Sequence, residues 1–249
     1  MPVRPPILFA LLAIAIAAAA ALVPLGLPSG PGAGPGDFDR RVRGYLTSHP
    51  EVIMEAVEAL RRRDTALQEA RQRAAIRANR AAIVDAGPLP VSGNRAGDVT
   101  VVEFFDYRCP YCRQAAGEVK ALLAADRGIR FVLKEFPVLG PESVFAARAA
   151  IAASMQGRYG EFHDALMARA GDLDEAAVID TARAVGLDIE RLRRDMGASQ
   201  VAALINETHA LARKLFITGT PSFVIGDDLV PGFATAADLA SLVARARRR

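Results

Sequence analysis

Apolar positions along this chain recur in three patterns, and each predicts a different element. Near the start, Ile7 to Val23 (ILFALLAIAIAAAAALV) carries no charge on any side and follows Arg4 in a short polar opening. Further on, Ile53, Leu60, Leu67, Ala74 and Ala81 return every seven residues with Val57 alongside, among charged neighbours. That spacing predicts a long helix, opened by Ser48 and Glu51 at capping-box spacing with Pro50 in its first turn, and running to about Val84. Its seam would either dock on its own domain or associate with other copies. In the second half, short runs rich in β-branched and aromatic residues predict buried strands over Val99 to Asp106 (VTVVEFFD) and Ile129 to Phe136 (IRFVLKEF). Ala115 to Ala125 between them reads as a helix. The stretch at about 141–216 is helical with breaks at Gly157, Gly171 and Gly186. Ser222–Ile225 and Leu229–Val230 flank Gly226-Asp227-Asp228 as a hairpin, and a helix from Thr235 closes the chain.

The uncharged run predicts export. Its 17 residues exceed an ordinary secretory core and fall short of the roughly 20 that span a bilayer comfortably. Residues 1–23 are therefore either a signal peptide cleaved near Ala19 to Ala21 or an uncleaved membrane anchor. No cysteine follows the run, which excludes a lipid-modified cysteine anchor. On either alternative the body lies outside the cytoplasm, in a periplasmic or similar compartment where disulfides persist. Residues 24–36 (PLGLPSGPGAGPG) hold four prolines and five glycines and read as a linker. An N-terminal helical arm over 37–86 and a main domain over 87–249 follow.

Half of the 249 residues are apolar, enough for one sizeable core. The net charge is only +3, and the basic runs Arg61–Arg63 and Arg245–Arg249 have no aromatic residues interleaved, so nucleic acid is not an expected partner.

Both cysteines lie in FFDYRCPYCR, between the first strand and the helix after it. Cys109 falls at the helix start, where free N–H groups and the helix dipole favour a thiolate. The dipole alone accounts for at most about 2 kcal/mol, or roughly 1.5 pKa units, so hydrogen bonds from the Tyr111 and Cys112 N–H groups and the Cys112 thiol must add to it. Pro110 suits the first helical position, and Cys112 is close enough to close a disulfide. Cys109 is thus the expected nucleophile and Cys112 the resolving thiol. A structural disulfide across so short a loop would stabilise little. His49, His163 and His209 show no ligand spacing to the cysteines, so no metal or cofactor site is expected, although two soft thiolates could bind Cu(I) and copper tolerance stays open as an alternative.

VVEFFDYRCPYC, a helical insertion, then GTPSFVIG resembles the DsbA-like thioredoxin-fold oxidoreductases over about Val99 to Ala244. The resemblance implies an α/β thioredoxin-like fold with a helical insertion at about 141–216 and a cis peptide before Pro221. It further implies a Thr220 backbone that pairs with a substrate chain beside Pro110 and Tyr111, and a buried acid, Glu103, that assists proton transfer with Lys134 modulating it. The implied partners are exported cysteine-containing proteins and a membrane redox partner. Pro110-Tyr111 lacks the histidine of DsbA, and Thr220 also occurs before the cis-proline of the isomerase DsbC, so oxidase and isomerase both stay open. The segment from Asp37 to Leu60 is similar to the N-terminal region of ScsC-type proteins, linked to copper tolerance, some of which trimerise through it; a homotrimer is the corresponding expectation.

Overall fold

The computed structural model describes residues 35–248. The expected export segment and most of the expected linker lie outside the described residues. Pro35 and Gly36, assigned to the linker, open helix α1 (Pro35–Ser48), and α2 (Glu51–Ala78) follows. The expected cap at Ser48 is not formed. Its hydroxyl donates back to the Gly44 and Tyr45 carbonyls, so the residue closes α1 instead of opening α2. After one non-helical residue, Asn79, the short α3 (Arg80–Val84) completes the helical stretch.

The chain divides into two compact units at Arg62/Arg63, within α2. In the first, Phe38, Tyr45, Ile53 and Leu60 are all exposed. The second unit begins before the boundary expected at residue 87, because Ile76 and Ile83 are buried in its core. These two residues lie about 200° around the helix from Ala74 and Ala81, so the docked stripe is not the sevenfold seam. Ile53, Leu60, Leu67, Ala74 and Ala81 are all exposed.

The second unit is built on a five-stranded sheet in the order β1-β3-β2-β4-β5, formed by β1 (Ser92–Gly93), β2 (Val99–Phe105), β3 (Ile129–Glu135), β4 (Ser222–Ile225) and β5 (Asp228–Pro231). β2 and β3 run parallel, and the other pairs are antiparallel. β2 is apolar at nearly every position because both of its faces are covered. Val101 and Phe105 point into the larger core, Val102 and Phe104 into a smaller one with Ile76, Ile83, Leu211 and Ile217. Glu103 shares the larger-core face, opposite Leu133 and Phe223. β1 was not expected: two exposed residues within a turn region carry no strand pattern, and pairing with β3 alone defines them.

Helix α4 (Pro110–Ala125) joins β2 to β3. Between β3 and β4 comes the helical insertion: α5 (Pro141–Ser154), α6 (Tyr159–Ala168), α7 (Glu175–Ala184), α8 (Ile189–Met196) and α9 (Ser199–Lys214). The expected breaks fall where they were read, with Gly157 and Gly186 in the left-handed region at φ 72 and 78. A fourth break, at Gly197-Ala198, was missed; Gly197 keeps a right-handed φ of −81 and so gives no turn signature. α10 (Ala236–Arg247) starts in a capping box of Thr235 and Asp238, and its Arg247 bridges Asp98 and Asp126. No helix among the described residues is long and apolar enough to cross a membrane.

Candidate active site

The β2 strand ends at Phe105, and Asp106 organises the four residues that lead into α4. Its carboxylate is buried and accepts four hydrogen bonds: Arg108 N–H and Ser143 Oγ on Oδ1, both at 2.8 Å, and Val138 and Leu139 N–H on Oδ2 at 2.8 and 3.0 Å. Its backbone carbonyl accepts from Cys109 N–H at 3.1 Å. Arg108 donates to the Leu139 carbonyl and pairs with Glu142 at 2.9 Å, so the loop carrying the exposed Val138 and Leu139 is tied to the segment that presents Cys109.

Cys109 caps α4 from an extended conformation with Pro110 as the first helical residue. Cys109 is 5% exposed, whereas Cys112 is fully buried one turn on, and Tyr111 beside them is 62% exposed. As a thiol, Cys109 donates to the Thr220 carbonyl at 3.3 Å. As a thiolate it is held down to about pKa 5, first by a hydrogen bond from the Cys112 thiol, then by the Thr220 side chain and the N–H groups of Cys112 and Tyr111, against the opposing effect of burial. The three donors expected from the sequence are present, and Thr220 is a fourth that only the fold supplies. Burial, and then its hydrogen bond to Cys109, push the Cys112 thiol far up. The Thr220-Pro221 peptide is cis, as the resemblance implied, and places Thr220 beside Cys109.

A depressed thiol ionisation stabilises the reduced fold. That contribution is fully present above the free value of about 8.5 and is lost as the pH falls through 5. Thiolate absorbance of the reduced protein should therefore rise with a midpoint near pH 5, and a midpoint near 8.5 would remove Cys109 from the nucleophile position.

Glu103 is 3% exposed, and its Oε1 has no hydrogen-bond partner among the described residues. Burial, and next the Cys109 charge, push its carboxyl up to about 8, so it is protonated at neutral pH. It lines a cavity of about 220 Å3 together with His163, Lys120 and Asp164, the last two paired at 3.2 Å. The cavity has room for water to reach the carboxyl. Lys134 does not meet Glu103. Adjacent strand residues point to opposite faces, and Lys134 donates instead to the Ala82 and Asp85 carbonyls beside α3.

Sequence reasoning missed a buried network under the cysteine loop. Glu135 Oε1 accepts from Tyr107 OH at 3.0 Å and Tyr159 OH at 2.8 Å, and Tyr107 OH lies 3.1 Å from His163 Nδ1. Burial raises Glu135 to about 8 and lowers His163 to about 4. Tyr107 was within sight in the cysteine motif, but its partners lie 28 and 56 residues away and have no spacing to betray them. Of the other histidines, His49 stacks on Tyr45, and His209 lies tilted against Phe136 with ring centroids 4.9 Å apart.

Residues 100–244 match the DSBA-like thioredoxin domain family. The chain belongs to this family. Residues 37–66 match a second family, the copper resistance protein ScsC N-terminal domain. Among solved structures, a thioredoxin-like oxidoreductase from Silicibacter pomeroyi DSS-3 is 53% identical with a TM-score of 0.67, over 69% of this chain and 99% of that one. BcfH of Salmonella enterica Typhimurium is 28% identical with a TM-score of 0.72, over 86% of this chain and 96% of that one. The Na(+)/H(+) antiporter NhaA 1 of Salinispora arenicola is 38% identical over 137 residues, 54% of this chain and 21% of that protein. The chain thus spans about a fifth of the length of this curated relative. Membership of the DSBA-like family carries the thioredoxin-like α/β fold.

Proposed function

We propose that the chain forms or rearranges disulfides in exported proteins through Cys109, Pro110, Tyr111 and Cys112, in an extracytoplasmic compartment. The observation that carries this reading is the asymmetry of the two sulfurs, one an acidic, slightly exposed thiol beside Thr220 and the other a buried thiol held protonated. In the oxidised protein, a substrate thiolate attacks Cys109 and the Cys109–Cys112 bond breaks. Cys112 leaves with the bond's electrons and takes a proton, for which Glu103 is the nearby acid. A second substrate thiolate then attacks the substrate sulfur and releases Cys109 as a thiolate. A membrane redox partner would reoxidise the pair.

Holding Cys109 as a thiolate at pH 7 favours the reduced protein by on the order of 2–3 kcal/mol over a free thiol, worth roughly 40–60 mV in the oxidising direction. That supports donation of disulfides over reduction. The reduction potential tests it: a value well above the glutathione range supports an oxidase, one within it an isomerase, and failure to exchange with glutathione at all would refute the reading. Cu(I) binding by the same sulfurs is less well supported, because Cys112 is wholly buried and held protonated.

A Glu103→Gln variant should exchange disulfides on the order of 10²-fold more slowly at pH 7, because the proton donor is lost. It should also gain stability relative to the wild type as the pH rises from about 4.5 to about 8, because over that window the carboxyl of the unfolded chain ionises while the buried one stays protonated, and the gain should level off above pH 8. Rates and urea unfolding across pH 5 to 9 would check both, and a flat rate ratio would leave Glu103 without a part in proton transfer.

The exposed seam of Ile53, Leu60 and Leu67, together with the ScsC-type N-terminal match, supports self-association through the arm, as a trimer. Light scattering should give a multimeric mass that Leu60→Glu reduces to a monomer. A monomeric wild type at micromolar concentration would refute it.

A further inference from the structure

Phe216 is the one non-glycine residue with positive φ among the described residues, at φ 58. It follows the end of α9, where Phe216 N–H reaches the Arg213 carbonyl at 3.2 Å and Ile217 N–H the Ala212 carbonyl at 2.9 Å. This is the Schellman arrangement, whose left-handed residue is ordinarily glycine because a Cβ there crowds the neighbouring carbonyl. A large aromatic side chain is an outlier at such a position. Burial does not account for it, since Phe216 is 59% exposed while Leu215 and Ile217 on either side are buried. The fold therefore accepts local strain to keep an aromatic ring at the surface.

Two further features surround that ring. A cavity of about 450 Å3 lies between it and the turn of α2 formed by Thr65, Gln68, Glu69, Arg71 and Gln72, and Gln72 Nε2 donates to the Leu215 carbonyl at 3.4 Å. Phe216 also stands four residues before Thr220, whose carbonyl meets the Cys109 sulfur at 3.3 Å. Four residues of extended chain reach at most roughly 13 Å, so the ring is within a short peptide's length of the reacting sulfur.

We propose that Phe216 is a recognition residue for the cysteine-bearing substrate chain. Its ring, with the facing turn of α2, takes an apolar side chain lying within about four residues of the cysteine that reacts at Cys109. The Gln68 amide can bond the extended backbone of the same chain. This rests on the oxidoreductase reading above.

The test uses the full chain, its Phe216→Gly and Phe216→Leu variants, and two matched peptides in which one cysteine is held as a disulfide with glutathione. One peptide has leucine three residues from that cysteine, the other serine. Partial burial of the leucine should make the wild type react about fivefold faster with the leucine peptide. Phe216→Gly should bring that ratio to about one while raising Tm by roughly 2–4 °C as strain is relieved. Phe216→Leu should keep most of the preference. A wild-type ratio of one, or a preference that survives Phe216→Gly, would overturn the proposal. Loss of the preference together with a lower Tm would also overturn it, by giving Phe216 a structural part. A wild type that fails to exchange even with oxidised glutathione would refute the oxidoreductase reading itself.

Discussion

A Cys112→Ser variant is expected to stop at a covalent adduct between substrate and Cys109 and to lose turnover by at least roughly 10³-fold. The two sulfurs stand one turn apart on α4, and only Cys109 keeps any exposure and is a thiolate at neutral pH. An incoming chain therefore meets Cys109 first. When the reduced protein attacks a substrate disulfide, release of the chain left on Cys109 requires a second sulfur aimed at the new bond from inside the protein, which is where Cys112 lies. A serine hydroxyl at 112 fits the same space but does not displace a sulfur. Mass spectrometry of the reduced variant after mixing with a peptide disulfide should show one peptide attached at Cys109. Cys109→Ser, left with a buried and protonated thiol, should capture none. Adducts on Cys112, or multiple turnovers by either variant, would reverse the assignment of the two sulfurs.

The largest expected loss of stability is at Asp106. Its buried carboxylate receives four hydrogen bonds from three separate segments, the cysteine loop, the loop after β3 and the start of α5. Asp106→Ala leaves these donors without an acceptor and should cost about 3–5 kcal/mol. In a chain of this size that lowers Tm by roughly 10 °C. Asp106→Asn is expected to recover little, because its amide nitrogen would face either the Val138 and Leu139 N–H groups or the Arg108 N–H and Ser143 hydroxyl. Thermal unfolding with thiolate titration checks both consequences. A Tm change under about 2 °C would show that water satisfies the donors, and an unchanged Cys109 midpoint would show that the cysteine loop does not depend on them.

The central strands, the cysteine pair, the helical insertion and its glycine breaks could be read directly. Each rests on local chemistry: a continuous apolar run buries both faces of a strand, a proline fits the first helical turn, and a glycine takes a left-handed backbone. The acidity of Cys109 was also legible in direction, because the donors from Tyr111 and Cys112 are its neighbours in sequence. Its Thr220 donor was not, since 111 residues separate the two and only the pairing of β4 with β2 brings them together.

What the sequence by itself determined is therefore local: which segments are strand or helix, where the reactive sulfur sits, and that a carboxyl interrupts an apolar strand at Glu103. The tertiary structure decided which face each residue presents and what meets it there. It sent Lys134 to the opposite side of the sheet from Glu103, and it buried α2 through Ile76 and Ile83 while leaving the more regular seam exposed. It also assembled Tyr107, Glu135, Tyr159 and His163 from a strand, a helix and a loop, and held Phe216 in a glycine's conformation. The physical reason is that facing depends on strand register and helix rotation, which are fixed by contacts between segments far apart in the chain, and a shift of one residue reverses a strand's two faces without altering its local pattern.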